Sequence, residues 1–332
     1  MHAVLLAHGV PEAFARTQTD LLLEAQMRGY ASHGLLRLPR VIERIVNGAT
    51  SPTSSGVHEW VGDCFLRVDG ERGLGPVVAL SALDALTERA RRSGIAIAAI
   101  RNSNHIGMLA WYGERVAREG LIIIACTTSE ALVHPWGGRR ALIGTNPLCI
   151  AVPATPEPLV LDMATSLVSM GKVHDHANRG EAIPQGWALD AQGNPTTDAA
   201  AAKSGSIAPF GGAKGYALGL ALELLVTSLA GSAIGTAVQG TLDSNSVCNK
   251  GDVFVVISPP RSESISAAIH AYLDEIRASG AACADQPVTV PGDRSRQMRA
   301  RSIAEGVEVD DALWHRILAL LPPSSDCKVS SL

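Results

Sequence analysis

The chain runs to 332 residues, enough for about two domains around a sizeable core. Its 46% hydrophobic and 18% charged residues exclude intrinsic disorder. Lys+Arg 28 against Asp+Glu 32, a net charge of −4 and only 4% aromatic residues exclude a nucleic-acid surface, which needs clustered cations or stacking platforms. The six cysteines (Cys64, Cys126, Cys149, Cys248, Cys283, Cys327) are scattered without a C-x-x-C pair, and Cys126 follows an apolar run where a buried, inert thiol is expected. The first residues, Met1 to Leu6, are apolar but lack the basic flank and cleavage site of a signal peptide. The expectation is a compact, soluble, cytoplasmic protein.

Residues 11–29 read as a helix with Phe14, Leu21, Leu22 and Ala25 on one face, and a second amphipathic run spans 35–46. Asn47-Gly48-Ala49-Thr50-Ser51-Pro52 then reads as a stop and a linker. An α/β pattern follows, with strands at 64–68, 95–100 and 121–126 and helices over 76–92 and 106–118 between them, closed by Gly94 and Gly120. Strand, helix, strand at this spacing predicts a βαβ unit with a parallel pair and a right-handed crossover. A strand lies within 142–152, and 158–162 leads into a helix through Met163-Ala164-Thr165-Ser166. The stretch 183–209 is rich in loops. A helix near 213–230, a strand at 253–257, a helix over 263–278, one basic stretch and a last helix around 310–321 complete the pattern, with no internal repeat. Residues 216–238 are apolar enough to pass for a membrane span, but Glu223 near the middle would be costly there. A long buried helix at a subunit contact is the expectation instead.

In open α/β sheets, catalytic groups gather in loops beyond the strand C-termini. Arg101-Asn102-Ser103-Asn104-His105 occupies such a loop. A histidine at the N-terminus of the next helix is kept neutral by the dipole and suits acid–base work near neutral pH, or it merely caps the helix. In the stretch Ser32 to Pro39, a helical conformation would project His33 and Arg37 from one face. Such a pair matches a 2-oxo acid, the guanidinium clamping the carboxylate and the imidazole protonating the carbonyl, while the competing reading is an exposed polar face. Ser32 is not expected to pair with His33 as a hydrolase nucleophile, because neighbours rarely face each other and no G-x-S-x-G elbow occurs. His174 and His176 lack further ligands at zinc spacing, so no metal is expected. Gly73-Leu74-Gly75 superficially resembles a dinucleotide fingerprint, but Pro76 removes an amide that could cradle a pyrophosphate. Gly211-Gly212-Ala213-Lys214-Gly215 opens a helix with a cation at its start, a candidate phosphate contact without the G-K-[ST] ending of a P-loop.

Gly29-Tyr30-Ala31-Ser32-His33-Gly34-Leu35-Leu36-Arg37-Leu38-Pro39 resembles the signature of the malate/L-lactate dehydrogenase family that is unrelated to the Rossmann lactate dehydrogenases. Further blocks resemble it in the same order: Asn102-Ser103-Asn104-His105-Ile106-Gly107, His134-Pro135-Trp136-Gly137-Gly138, Ile143-Gly144-Thr145-Asn146-Pro147, Leu161-Asp162-Met163-Ala164-Thr165-Ser166, the stretch Ile183 to Asp190, Gly211 to Tyr216, and Pro291-Gly292-Asp293-Arg294. The resemblance covers nearly the whole chain. It implies an NAD(P)-dependent oxidoreductase with a non-Rossmann α/β fold, usually a homodimer, acting on the α-carbon of a small acid. Members include malate, lactate, sulfolactate and ureidoglycolate dehydrogenases, a diketogulonate reductase and reductases of cyclic imines such as piperideine-2-carboxylate. By the same resemblance, Ser32, His33 and His105 are the candidate catalytic residues, with Arg37 and His33 on the substrate. Asp162, Met163, Ala164, Thr165, Lys214, Gly215, Gly292, Asp293 and Arg294 match stretches that contact NAD or NADP.

The expected architecture is α/β, a mixed-sheet, non-Rossmann NAD(P)-binding core with a helical region built from the N-terminal segment and the C-terminal tail. Its boundaries fall at 1–60 for the helical region, 61–284 for the cofactor- and substrate-binding core, and 285–332 for the tail packing back. Against the family pattern, the chain is expected to start late, without part of the usual first helix, and it carries Val41 where a tyrosine commonly stands and Lys172 where imine-reducing members often carry an acid. The last departure favours a carbonyl substrate, with a cyclic imine 2-carboxylate as the alternative and a catalytically silent nucleotide-binding relative behind both. Neither nucleic acid nor membrane is an expected partner.

Overall fold

A computed structural model describes residues 1–260, 263–283 and 285–322. Cys327 and the end of the expected tail lie outside these residues, as does Ala284 at the expected core–tail boundary.

The N-terminal helices are α1 (His2–Ala7), α2 (Glu12–Met27) and α3 (Leu38–Val46). Next come β1 (Val57–Val61), β2 (Phe65–Asp69), α4 (Gly75–Ser93), β3 (Ile95–Arg101), α5 (Leu109–Arg118) and β4 (Ile122–Thr127). The middle holds β5 (Leu148–Val152), β6 (Leu159–Met163), α6 (Met170–Arg179), β7 (Ala188–Leu189), β8 (Pro195–Thr196), α7 (Ala199–Ala202) and β9 (Ser206–Ile207). The chain continues through α8 (Ala213–Ala230), β10 (Asp252–Ile257), α9 (Glu263–Ala278), α10 (Asp293–Glu305) and α11 (Asp311–Leu318).

Seven strands form one mixed sheet in the order β1-β2-β3-β10-β4-β5-β6, the mixed α/β architecture that the sequence leads one to expect. β2, α4 and β3 make the expected parallel neighbour pair. The next crossover, β3 to α5 to β4, does not place its strands side by side. β10 is inserted between them, antiparallel to both, with Phe254 opposite Ala98 on one side and Ala125 on the other. The middle positions of these strands are apolar on both faces, which lets a third strand occupy the centre. α4 and α5 cover one face through Val78, Leu83, Leu86, Leu109 and Tyr112, and α8 covers the other through Leu222, Val226 and Ala230. At roughly 25 cal/mol per Å² of apolar surface removed from water, this two-sided burial is the main term stabilising the sheet.

The N-terminal helices and α11 share a separate apolar cluster, in which Ile317 sits with Leu5, Leu22, Leu38 and Ile42. Buried Arg28 fastens α2 to the core, pairing with Glu24 at 3.0 Å and with Glu114 of α5 at 2.6 Å, while Arg299 of α10 takes the same Glu24 at 2.7 Å.

Several expectations are corrected. Met163 to Ser166 does not open a helix: β6 runs through Met163, and Thr165 is tied into extended pairing by bonds from its N–H to Thr145 O and from Phe210 N–H to its carbonyl. The helix expected from 106 starts at Leu109, because Gly107 adopts φ +74°. Ser32 to Pro39 is not one helical turn but two short 3₁₀ turns broken at Gly34. A Cβ at Gly34 would collide with the Gln26 side chain. The expected helical region up to residue 60 also contains β1, which pairs antiparallel with β2. Residues 183–209, read as loop, carry a small three-stranded sheet, β8-β7-β9.

The expected buried helix is α8, and only part of it is buried within the chain. It is also the one helix among the described residues long and apolar enough to cross a membrane by length and composition. Ala217, Leu218, Ala221, Leu224, Leu225 and Ser228 form an exposed stripe at helical spacing. Glu223 points the other way and is 2% exposed, accepting from Gly144 N at 3.1 Å, Asn146 Nδ2 at 2.6 Å and Gly235 N at 2.6 Å.

Candidate active site

Ser32, His33 and Arg37 lie in the segment between α2 and α3, and His105 in the loop that leaves the C-terminal end of β3. The structure brings them together. The His33 and His105 rings stand 5.3 Å apart between centroids, tilted by 35°. Ser32 Oγ and His33 Nδ1 are hydrogen-bonded at 3.0 Å, so these neighbours do face each other, against the sequence expectation. The 3₁₀ turn rather than an extended chain makes this possible.

His105 is not at a helix N-terminus, since α5 begins four residues later. Its neutrality has other causes. Burial pushes its pKa well below the ordinary histidine value, and the charges of Arg37, His33 and Lys250 push it the same way. The backbone N–H of Gly107 donates to His105 Nδ1 at 3.2 Å. A ring that accepts at Nδ1 carries its hydrogen on Nε2, so the tautomer follows from the geometry. His33 is held down to about 4, by burial first and by the Arg37 charge second.

Arg37 is bonded only to neutral groups. Its Nε donates to Ser32 O at 2.8 Å and its Nη1 to Thr241 O at 3.2 Å, leaving Nη2 without a partner among the described residues. Burial and neighbouring Arg40 lower its pKa to about 10, with Glu130 acting in the opposite sense. A half-buried guanidinium without a carboxylate partner is an anion site. Arg37, Val41, His105, Gly75, Gly240 and Thr241 line one cleft, which Leu21, Leu22 and Leu74 close on the apolar side.

Residues not expected from sequence hold this cleft in place. Asn104 Oδ1 accepts from Thr50 Oγ1 at 2.9 Å and from Arg44 Nε and Nη2 at 3.1 and 2.9 Å, and its Nδ2 donates to Arg72 O and Gly73 O, fixing the backbone beside His105. Lys250, 2% exposed, pairs with Asp252 at the start of β10 and is one of the charges bearing on His105. The available signal for this pair was a Lys-x-Asp at the mouth of an otherwise apolar strand.

The three expected cofactor segments converge on β6. Residues 165–167 pair with 208–210, just before Gly211 to Gly215 at the start of α8. Val160 N–H donates to Pro291 O at 3.4 Å, which sets Gly292 to Arg294 on the other side. Within this region Asp162 Oδ2 accepts from Ala110 N at 2.7 Å, capping α5, and burial raises its carboxyl to about 6 against those amides. Met163 and Ala164 are half-buried and Thr165 is buried, its Oγ1 donating to Thr145 O at 2.9 Å. Gly215 is required for packing, since a Cβ there would collide with Phe210 O. Asp293 is committed to Arg277, Arg296 and Val290 N, and those partners hold its carboxyl far below the usual range. Exposed Lys214 and Arg294 make no ion pair among the described residues, which leaves both cations free to meet an anion such as a dinucleotide phosphate. Lys172, by contrast, lies over the Trp187 ring at 5.0 Å. Among the described residues no group of three or more His, Cys, Asp or Glu is placed to hold a metal.

The malate/L-lactate dehydrogenase family model matches residues 1–318. L-sulfolactate dehydrogenase of Methanothermobacter thermautotrophicus is 35% identical over 96% of this chain and 92% of its own. The Δ1-pyrroline-2-carboxylate/Δ1-piperideine-2-carboxylate reductase of Pseudomonas aeruginosa is also 35% identical, over 96% of this chain and 95% of its own. A crystal structure of a dehydrogenase from Sinorhizobium meliloti superposes with a TM-score of 0.93 at 52% identity, covering 97% of this chain and 95% of that one. The chain belongs to the malate/L-lactate dehydrogenase family, a family of oxidoreductases.

Proposed function

We propose that the protein transfers a hydride between NAD or NADP and the α-carbon of a small 2-oxo or 2-hydroxy acid of the malate, lactate or sulfolactate kind. The observation that carries this is Arg37, a guanidinium held only by backbone carbonyls, beside two imidazoles that burial keeps neutral. When bound, the reduced nicotinamide supplies the hydride. Arg37 holds the substrate carboxylate on Nη2 and orients the α-carbon. His105 directs its Nε2 hydrogen to the oxo oxygen, and His33, backed by Ser32, serves as the second acid–base group. Lys214 and Arg294 hold the phosphates, with Asp162, Met163, Ala164, Thr165, Gly215, Gly292 and Asp293 building the surrounding wall. The chain divides by role into the helical region 1–60, the core 61–284 and the tail from 285.

A second reading, an NADPH-dependent reductase of a cyclic imine 2-carboxylate, rests on the Pseudomonas reductase being as similar as the sulfolactate enzyme. Lys172 on Trp187 in place of an acid weighs toward the oxo acid. NADH and NADPH oxidation should be followed with oxaloacetate, pyruvate, sulfopyruvate and Δ1-piperideine-2-carboxylate. Turnover of an oxo acid supports the first reading. Turnover of the imine alone replaces it with the second, and cofactor binding without turnover makes the chain a silent relative.

The exposed stripe on α8 supports a homodimer, with a second copy rather than a membrane covering it. A soluble, cytoplasmic location accompanies that reading.

A further inference from the structure

Four side chains on one flank of α3 and its ends donate to four successive carbonyls of a single loop. Arg37 Nη1 reaches Thr241 O at 3.2 Å, Arg40 Nη1 reaches Leu242 O, Arg44 Nη1 reaches Asp243 O at 2.8 Å and Asn47 Nδ2 reaches Ser244 O at 3.2 Å. The carbonyls of this loop therefore face the helical segment that carries Arg37. Its first two amides, those of Thr241 and Leu242, face the other way, onto Glu130 in the loop after β4. Glu130 Oε1 accepts from Thr241 N at 2.7 Å, Thr241 Oγ1 at 3.1 Å and Leu242 N at 2.8 Å. Glu130 is also the one carboxylate whose charge bears on Arg37 in the opposite sense to burial.

We propose that Glu130 is a positioning residue for Arg37, acting through the Thr241–Leu242 backbone to aim the guanidinium at the substrate carboxylate. The loop is gripped from both sides at once. One carboxylate oxygen with three donors fixes the Thr241 peptide, and the Thr241 carbonyl fixes Nη1. With Nε held by Ser32 O and Nη1 by Thr241 O, the planar guanidinium is fixed in orientation, and Nη2 is its one nitrogen without a partner among the described residues, on a side chain that lines the cleft. Glu130 and Thr241 are 111 positions apart in sequence, so only the fold creates the link. The cost of losing it falls on binding of the acid rather than on hydride transfer, because Glu130 touches neither histidine through any hydrogen bond of the described residues.

The assignment rests on the reading of Arg37 as the carboxylate clamp, and the test separates the two. Steady-state kinetics with whichever of oxaloacetate, pyruvate, sulfopyruvate and Δ1-piperideine-2-carboxylate the wild type turns over should be run on the wild type, Glu130→Ala, Glu130→Gln, Thr241→Val and Arg37→Gln, together with NADH and NADPH dissociation constants and Tm. Glu130→Ala is expected to raise KM for the acid about tenfold, with kcat and cofactor affinity changed less than about twofold. Glu130→Gln, which keeps the acceptor oxygen, should recover most of that loss. Thr241→Val, which removes one of three donors, should raise KM about twofold and stands in should Glu130→Ala not fold. An unchanged KM in Glu130→Ala or Thr241→Val, with a raised KM in Arg37→Gln, overturns the role of Glu130. So does a fall in kcat that simply follows Tm, or a failure of Glu130→Gln to rescue. An unchanged KM in Arg37→Gln, or a wild type that turns over none of these acids, overturns the reading of Arg37 and the role of Glu130 with it.

Discussion

His105 has its hydrogen placed by a backbone amide two residues downstream, and Gly107 can offer that amide because it adopts φ +74°. His33 is held to about 4 by burial and by Arg37. Both rings are therefore already neutral at pH 6. His105, with its hydrogen on Nε2, can only donate to the substrate oxygen. His33 is the ring able to accept a proton in the oxidative direction without first losing one. The kcat/KM for oxidation of malate is expected to stay level from pH 6 to pH 8 and to fall only on an acid limb near 4. Removing the neighbouring positive charge in Arg37→Gln moves that limb upward. A wild-type limb near the ordinary 6.5 that Arg37→Gln moves would refute the assignment, whereas one near 6 that Arg37→Gln leaves in place belongs to Asp162. The nearness of His33 and Arg37 was legible from their spacing, although two 3₁₀ turns rather than a helical face produce it. Glu130 and Lys250 were not legible. Their relations to Thr241 and to His105 exist only after distant segments pack, and no local pattern carries that information.

At the scale of elements, pattern and punctuation carried most of the reading. α4, with its apolar face and Gly94 at φ +83° behind it, and β3, with its short apolar run, stand where periodicity puts them. The stretch Met163 to Ser166 defeats the same logic, because its conformation is set by pairing with Thr145 and Phe210 rather than by its own residues. β1 escapes notice because it is an edge strand of alternating exposure, with His58 and Trp60 half-buried and its other residues in solvent. The start of α4 bears directly on His105, the proposed acid–base group. A Cβ at Gly75 would collide with the carbonyl oxygens of Asn104 and His105. Gly75→Ala is expected to cost roughly 1–3 kcal/mol in denaturant unfolding and to lower kcat by displacing His105, while cofactor affinity is retained. A variant with full kcat would show that His105 tolerates the shift.

At the scale of the whole molecule, the α8 stripe is the surface that the single chain leaves unexplained. Leu218, Leu224 and Leu225 are all exposed, on a helix whose opposite side carries the buried Glu223. If a second copy covers them, Leu225→Lys should shift the protein from dimer to monomer in sedimentation, whereas an unchanged mass would remove the stripe from the interface. The sequence showed that this helix was apolar, but apolarity alone does not distinguish burial in one chain from burial between two. The insertion of β10 between β3 and β4 has a consequence for how the protein is made. The centre of the sheet is a strand that leaves the ribosome after more than a hundred intervening residues, so β3 and β4 must wait for it with open edges. Closing so distant a contact favours slow folding, with two strand edges unpaired until β10 arrives.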